Sequence, residues 1–204
     1  MKRIGILGGT FNPIHIGHLT IAQMVHEQLK LDKVIFVPSN LPPHKSSKNV
    51  ASSKDRYHMI SLAIRENSRF EISDFEIKKA GKSYSIETVG YFRDYYPTGT
   101  KIFFIIGNDL LSTLPAWKHV NEILKIVTFV SVNRPGFKER KSKIKVRSIT
   151  VPGLQTSSSY VRQRITAGKT VKYLVPDDVL RYIQQKKLYI KVNRRKGQYG
   201  NKGK

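Results

Sequence analysis

Two histidines three residues apart, His15 and His18, follow a glycine pair in the stretch KRIGILGGTFNPIHIGHL at residues 2–19. An imidazole can donate or accept a proton near neutral pH, so two on one face can serve an anionic reacting group. Gly8 and Gly9 let the backbone approach an anion with no side chain in the way. Thr10, Phe11, Asn12 and Pro13 form the loop between them and the histidines. A helix starting near His18 would aim free N–H groups and the positive end of its dipole at the same place. The chemistry this combination suits is the holding of a nucleotide phosphate.

A second stretch has the same character. Residues 156–165, TSSSYVRQRI, set three serines before Val161 and Ile165, so the serines fall at a helix start, with Arg162 and Arg164 in its first turns. Capping accounts for one serine, not for three followed by two arginines. Lys45, after Pro42, Pro43 and His44, stands in a long polar loop from which it could reach a phosphate; an ordinary surface lysine is the alternative. Gly107 and Asp109 close an apolar run, where open α/β sheets bind ligands, although turn chemistry also explains Gly-Asn-Asp. Arg134 stands at the next such end.

The elements that must carry these groups alternate along the chain. Residues 2–9, 33–38, 101–106 and 125–132 are short apolar runs of the buried parallel-strand kind, residues 70–77 alternate as a strand does, and residues 146–151 offer a sixth. Helical spacing occupies 19–30, 53–67 (with Ser53 as N-cap), 84–96, 156–165 and 176–188. This order predicts a Rossmann-like, doubly wound α/β parallel sheet of five to six strands in a single domain. That domain spans residues 1–190; residues 191–204 read as a basic, disordered tail.

Composition narrows the class. The 204 residues are 39% hydrophobic and 25% charged, with no cysteine, which excludes disulfides and thiolate chemistry. No run is long enough to span a membrane and no signal peptide is evident, so a cytoplasmic location is expected. Of the net charge of +23, residues 137–147 and 191–204 hold 11. The tail reads as a solvated segment with weak electrostatic contact to nucleic acid as the sharper option; the remaining charge suits anionic substrates. The patterns GxGxxG and GxxxxGK[ST] are absent, so neither a dinucleotide fingerprint nor a P-loop is supported.

The spelling HIGH, between a strand–glycine turn and a helix, resembles the signature of the nucleotidyltransferase superfamily that includes class I aminoacyl-tRNA synthetases. With GGTFNPIHIGHL come PPHK at 42–45, SYSIET at 83–88, FFIIGND at 103–109, LPAWK at 114–118, VNRPG at 132–136 and SSSYVRQR at 157–164. Together and in this order they resemble the bacterial nicotinate-nucleotide adenylyltransferase family over nearly the whole chain to about Leu188. Two departures are visible: Asn12 stands where the family often has Asp, and TSSSYVR replaces ISSTxIR.

The resemblance implies an enzyme that joins nicotinate mononucleotide to the AMP part of ATP, with release of pyrophosphate, in NAD biosynthesis. By the family's pattern His15, His18, Lys45 and Arg162 are catalytic. Gly8, Gly9, Thr10, Gly107, Asp109, Arg134, Ser158 and Ser159 join the histidines and Arg162 in binding ATP. Phe11, Asn12, Thr88, Trp117 and Lys118 take the nicotinate nucleotide. Mg²⁺ travels with ATP and needs no dedicated protein ligands. Nicotinamide mononucleotide or phosphopantetheine as acceptor, and an RNA-binding module from a different class, are the competing readings. The oligomeric state is open, a homo-oligomer being one arrangement.

Overall fold

The computed structural model describes residues 1–40, 50–79, 81, 83–133, 142–152 and 156–190. Six strands form one sheet: β1 (Arg3–Gly9), β2 (Lys33–Pro38), β3 (Phe70–Ile72), β4 (Lys101–Gly107), β5 (Val127–Asn133) and β6 (Arg147–Thr150). Their order is β3-β2-β1-β4-β5-β6, and every neighbouring pair is parallel. The chain therefore runs outward from β1 in one direction and returns to build the other half from β4. The ends of β1 and β4 flank the point where the winding reverses, which is where such sheets bind ligands.

Alternation along the strands feeds two cores. Leu7, Val34, Phe36, Phe103, Ile105, Val130 and Val132 face one layer. It consists of α1 (Ile16–Gln28), α2 (Ser53–Ile64), α6 (Ser158–Thr166) and α7 (Asp177–Gln185). Ile4, Ile6, Ile35, Val37, Ile102, Phe104, Ile106 and Phe129 face the other. There α4 (Ser85–Tyr95) and α5 (Val120–Ile126) supply Val89, Phe92 and Ile123. Gly5 sits on the first face because a Cβ there would stand 2.7 Å from Leu31 Cδ1.

The predicted doubly wound sheet is present with six strands. Three local readings need correction. Residues 70–77 are not one strand: β3 stops at Ile72, and a one-turn helix, α3 (Phe75–Lys78), follows. Ser73 Oγ accepts the Phe75 N–H at 3.3 Å, giving the backbone a turn to adopt instead of a ladder. The first helix begins at Ile16, not near His18, with His15 at its N-cap, so both histidines belong to the helix start. Ser52, not Ser53, caps α2: its Oγ accepts the Asp55 N–H at 3.1 Å. Lys45, Arg134 and the basic tail lie outside the described residues.

Candidate active site

β1 ends in Gly8 and Gly9, and the loop 10–14 carries the chain to the N-cap of α1. Phe11 takes φ +48°, a left-handed conformation uncommon outside glycine, and Asn12–Pro13 is a cis peptide. This conformation turns the Phe11 side chain inward, where it is 2% exposed. Its ring meets the His18 ring edge-on at 5.0 Å and lies 5.7 Å from Phe36. A residue assigned to the nicotinate nucleotide is thus a core side chain that supports a histidine.

His15 and His18 stack with ring centroids 3.6 Å apart. The His15 backbone N–H donates to His18 Nδ1 at 3.2 Å. With Nδ1 accepting, the ring proton of neutral His18 sits on Nε2, so that nitrogen is a donor even without added charge. Space is tight at Gly17 between them: a Cβ there would stand 3.1 Å from the His15 ring and 3.1 Å from Thr156 Cγ2. Thr156 belongs to the serine stretch, so the two motifs are already in contact at this point.

The contact is extensive. Ser158 Oγ donates to the Pro13 carbonyl at 2.9 Å, and an Arg162 terminal nitrogen donates to the Asn12 carbonyl at 2.7 Å. The other terminal nitrogen of Arg162 donates to Ser159 Oγ at 3.1 Å. Ser157 caps α6, its Oγ accepting the Tyr160 N–H at 3.1 Å. The three serines therefore have three structural jobs: capping the helix, tying it to the loop, and orienting Arg162. The Ser158 and Ser159 N–H groups, in the first turn, have no acceptor within the helix. Backbone and guanidinium, more than hydroxyls, are what this helix start offers to a phosphate.

Asn12 is 3% exposed, and its Oδ1 accepts from Tyr189 Oη at 2.8 Å and from the Ala51 N–H at 2.9 Å. Burial pushes the Tyr189 phenol far above its ordinary range, against the opposing pull of the Arg162 and Arg56 charges, so it remains a donor. The Thr10 carbonyl accepts from Arg56 at 2.8 Å. The carbonyls of Thr10, Asn12 and Pro13, which would repel an anion, are each occupied by a donor, from Arg56, Arg162 and Ser158 in turn.

The remaining assigned residues lie around the end of β4. Asp109 is exposed in a 3-10 turn, Asn108–Leu110, and a Cβ on Gly107 would collide with its carboxylate, so the glycine is what lets Asp109 fold back there. Trp117 is half-buried, edge-on to Phe104 at 6.1 Å and to Phe129 at 6.0 Å. Phe104 in turn lies 3.8 Å from where a Gly8 Cβ would be, which links the tryptophan side to the glycine turn. Lys118 reaches over the Tyr84 ring at 4.6 Å, at the N-cap of α4. Thr88 is buried, and its hydroxyl donates to Glu76 Oε1 at 2.7 Å. Burial raises the Glu76 carboxyl above the usual range; the hydrogen bond from Thr88 opposes that, and the Glu87 charge adds to it.

Arg56, Tyr189 and Glu76 were not foreseen from the sequence. Arg56 falls in the helical stretch 53–67, Glu76 in the strand read over 70–77, and Tyr189 just beyond the last helical stretch, and the sequence assigns a role to none of them. Among the described residues no cluster of His, Asp and Glu could hold a metal ion, and no helix is long and apolar enough to cross a membrane.

A parallel sheet with a glycine turn at its switch point and paired histidines at a helix start is the architecture of a nucleotidyltransferase. The profile of the cytidylyltransferase-like family matches residues 6–164. A probable nicotinate-nucleotide adenylyltransferase of Thermoanaerobacter is 43% identical over 93% of this chain and 95% of its own length. One from Oceanobacillus iheyensis is 41% identical over 93% of this chain and 97% of its own. Nicotinic acid mononucleotide adenylyltransferase of Plasmodium falciparum, solved with NaAD, superposes with a TM-score of 0.78 at 21% identity, covering 93% of this chain and 98% of that one. The chain belongs to the cytidylyltransferase-like family and, within it, to the nicotinate-nucleotide adenylyltransferases.

Proposed function

We propose that the protein transfers the adenylyl group of ATP to nicotinate mononucleotide, giving nicotinate adenine dinucleotide and pyrophosphate. The observation that carries this reading is the full-length relationship to proteins named for that reaction, joined to two helix starts that meet at one loop. An oxygen of the mononucleotide's 5′-phosphate attacks the α-phosphorus of ATP. The new P–O bond forms as the bond to the bridging oxygen of pyrophosphate breaks. Both reactants are anions, so positioning and neutralisation of charge supply most of the acceleration.

In this reading His18 Nε2–H faces the α-phosphate, where charge builds during transfer, and His15 fixes its orientation by stacking. The α6 start and Arg162 take the β- and γ-phosphates. Gly8, Gly9 and Thr10 pass the nucleotide along backbone, with Asp109 near the ribose. Lys45 and Arg134 keep the roles the family pattern implies, from segments outside the described residues. ATP enters as its magnesium complex: the side chains around the loop are imidazole, guanidinium and hydroxyl, which suit phosphate oxygens, whereas Mg²⁺ takes carboxylate, phosphate and water oxygens.

Trp117 stacks on the pyridine ring, with Lys118 toward its carboxylate. Thr88 serves this pocket through its position on α4, since a hydroxyl has one proton and this one goes to Glu76. The test is a panel of acceptors with ATP and Mg²⁺: nicotinate mononucleotide, nicotinamide mononucleotide and phosphopantetheine. Pyrophosphate release should be fastest with the first. No release with it ends this reading, and faster release with the amide moves the substrate assignment.

A further inference from the structure

Arg56 is the largest fully buried side chain among the described residues, 1% exposed, on the first turn of α2. Each of its three nitrogens donates to a backbone carbonyl: Nε to Ala51 at 3.1 Å, and the terminal nitrogens to Thr10 at 2.8 Å and Asn40 at 2.9 Å. Thr10 lies in the loop after the glycine pair, and Asn40 and Ala51 stand on either side of the segment 41–49 that carries Lys45. Among the described residues no carboxylate forms an ion pair with it. Removing a cation from water without an anion is costly, so beyond the three carbonyls that its fork braces the guanidinium calls for a counter-charge.

We propose that Arg56 is a positioning residue for the transfer reaction, a fixed positive charge behind the loop 10–12 whose counter-anion is the substrate phosphate. Its fork holds the Thr10, Asn40 and Ala51 carbonyls in one arrangement, and the arriving phosphates supply the negative charge that the buried guanidinium lacks. Phosphate binding and the placement of the two edges of the Lys45 segment are thereby coupled through one side chain. Lysine cannot substitute, because a single ammonium does not span three carbonyls in a plane. This inference rests on the phosphate-binding reading of the loop.

The experiment compares the unaltered protein with Arg56→Lys, Arg56→Met and, as an exposed control on α4, Arg93→Met. Inorganic tripolyphosphate, which carries phosphate and no base, is the competitive probe, with ATP and nicotinate mononucleotide as substrates. Every measurement is made well below each variant's unfolding midpoint, on the folded fraction. Arg56→Met should weaken tripolyphosphate inhibition and raise the KM for ATP by about 10- to 30-fold, as expected for one charge removed at a screened distance of several ångströms. Arg56→Lys should recover part of the affinity while kcat stays reduced, and Arg93→Met should change neither. Variants that lose only thermal stability, with tripolyphosphate affinity intact, would overturn the proposal.

A further readout needs no folded variant. The buried Arg56 Nε–H of the unaltered protein, bonded to the Ala51 carbonyl, should give a slowly exchanging proton signal that saturating tripolyphosphate shifts. A signal that stays in place while ATP turnover is inhibited would count equally against the proposal. A protein that fails to turn over ATP at all would instead indict the functional reading.

Discussion

Tyr189 Oη donates to Asn12 Oδ1 at 2.8 Å, joining residues 177 positions apart in the chain. The end of the described chain is thereby pinned beneath the loop that follows the first strand. The same oxygen accepts the Ala51 N–H, so one amide coordinates three segments. Both of these bonds use Asn12 as an acceptor. Asn12→Asp should therefore keep turnover within about threefold, since a carboxylate oxygen accepts the same two bonds. Asn12→Ala should lose about 1–3 kcal/mol for each orphaned donor and lower kcat/KM along with it. Paired denaturant titrations and steady-state rates check both; an Asp variant as impaired as the Ala variant would mean that the amide nitrogen matters.

His18 is read as the donor to the reacting phosphate, its tautomer set by the His15 backbone N–H. His18→Ala should lower kcat by about 10²–10⁴-fold with a smaller change in KM, the range for removing one oriented charge stabiliser or acid–base group. Turnover near that of the unaltered protein would remove His18 from the mechanism.

Gly17 separates stability from function. Alanine is favoured over glycine within a helix by roughly 1 kcal/mol, yet a Cβ here would press on the His15 ring and Thr156 at 3.1 Å. Gly17→Ala should displace the imidazole stack and cut kcat/KM by more than about tenfold, while the midpoint of thermal unfolding moves little. Equal activity and a higher midpoint would show that the stack tolerates the methyl.

Glu76 carries a carboxyl whose pKa burial raises in the folded state. A carboxyl that holds its proton more tightly when folded stabilises the protein below its unfolded pKa, about 4.3. That contribution is lost as pH rises through the folded value. At neutral pH the charged, buried group is a cost. Glu76→Gln keeps an acceptor for the Thr88 hydroxyl and removes the charge, so it should raise stability at pH 7 and leave it nearly unchanged at pH 4. Urea midpoints at the two pH values decide; a Gln variant less stable at pH 7 would reverse the sign.

Sequence patterns reached the sheet and the meeting of the two motifs for one physical reason. Apolar runs such as KIFFII and spaced residues such as Ile21 and Val25 encode burial directly, and glycine and serine encode turns and helix starts directly. The support behind the site is written in another form. Arg56 is bound by three backbone carbonyls, and a carbonyl is common to every residue, so no side-chain pattern announces which three will converge. Phe11 shows the same limit: its left-handed φ turns an aromatic ring that sits among polar loop residues into the core beneath His18. The short α3 was hidden because Phe70–Ile72 and Phe75–Ile77 each alternate by themselves; the three-residue step from Ile72 to Phe75 breaks the period, and there the Ser73 hydroxyl offers the backbone a turn.

The Asp55–Tyr182 bond, 2.7 Å, ties the start of α2 to α7, and with it the helix that carries Arg56. Burial alone would raise the Asp55 pKa. Hydrogen bonds from Ser52 and Tyr182 and the Lys186 charge outweigh it, so the net shift is downward. Its stabilising contribution is therefore present above the unfolded pKa, about 3.9, and is lost as pH falls through the lower folded value. Tyr182 moves oppositely: burial and the Asp55 contact push it up to about 12. A tyrosine with a raised pKa stabilises fully below its unfolded value, about 10, and that contribution disappears as pH climbs toward 12. Tyr182→Phe removes both effects. The variant should be less stable across the neutral range by about 0.5–1.5 kcal/mol, the net worth of one hydrogen bond. The gap to the unaltered protein should narrow below pH 4 and again above pH 10. Urea midpoints from pH 3 to pH 11 provide the test, and a gap constant across that range would show that the bond carries no charge-linked stability.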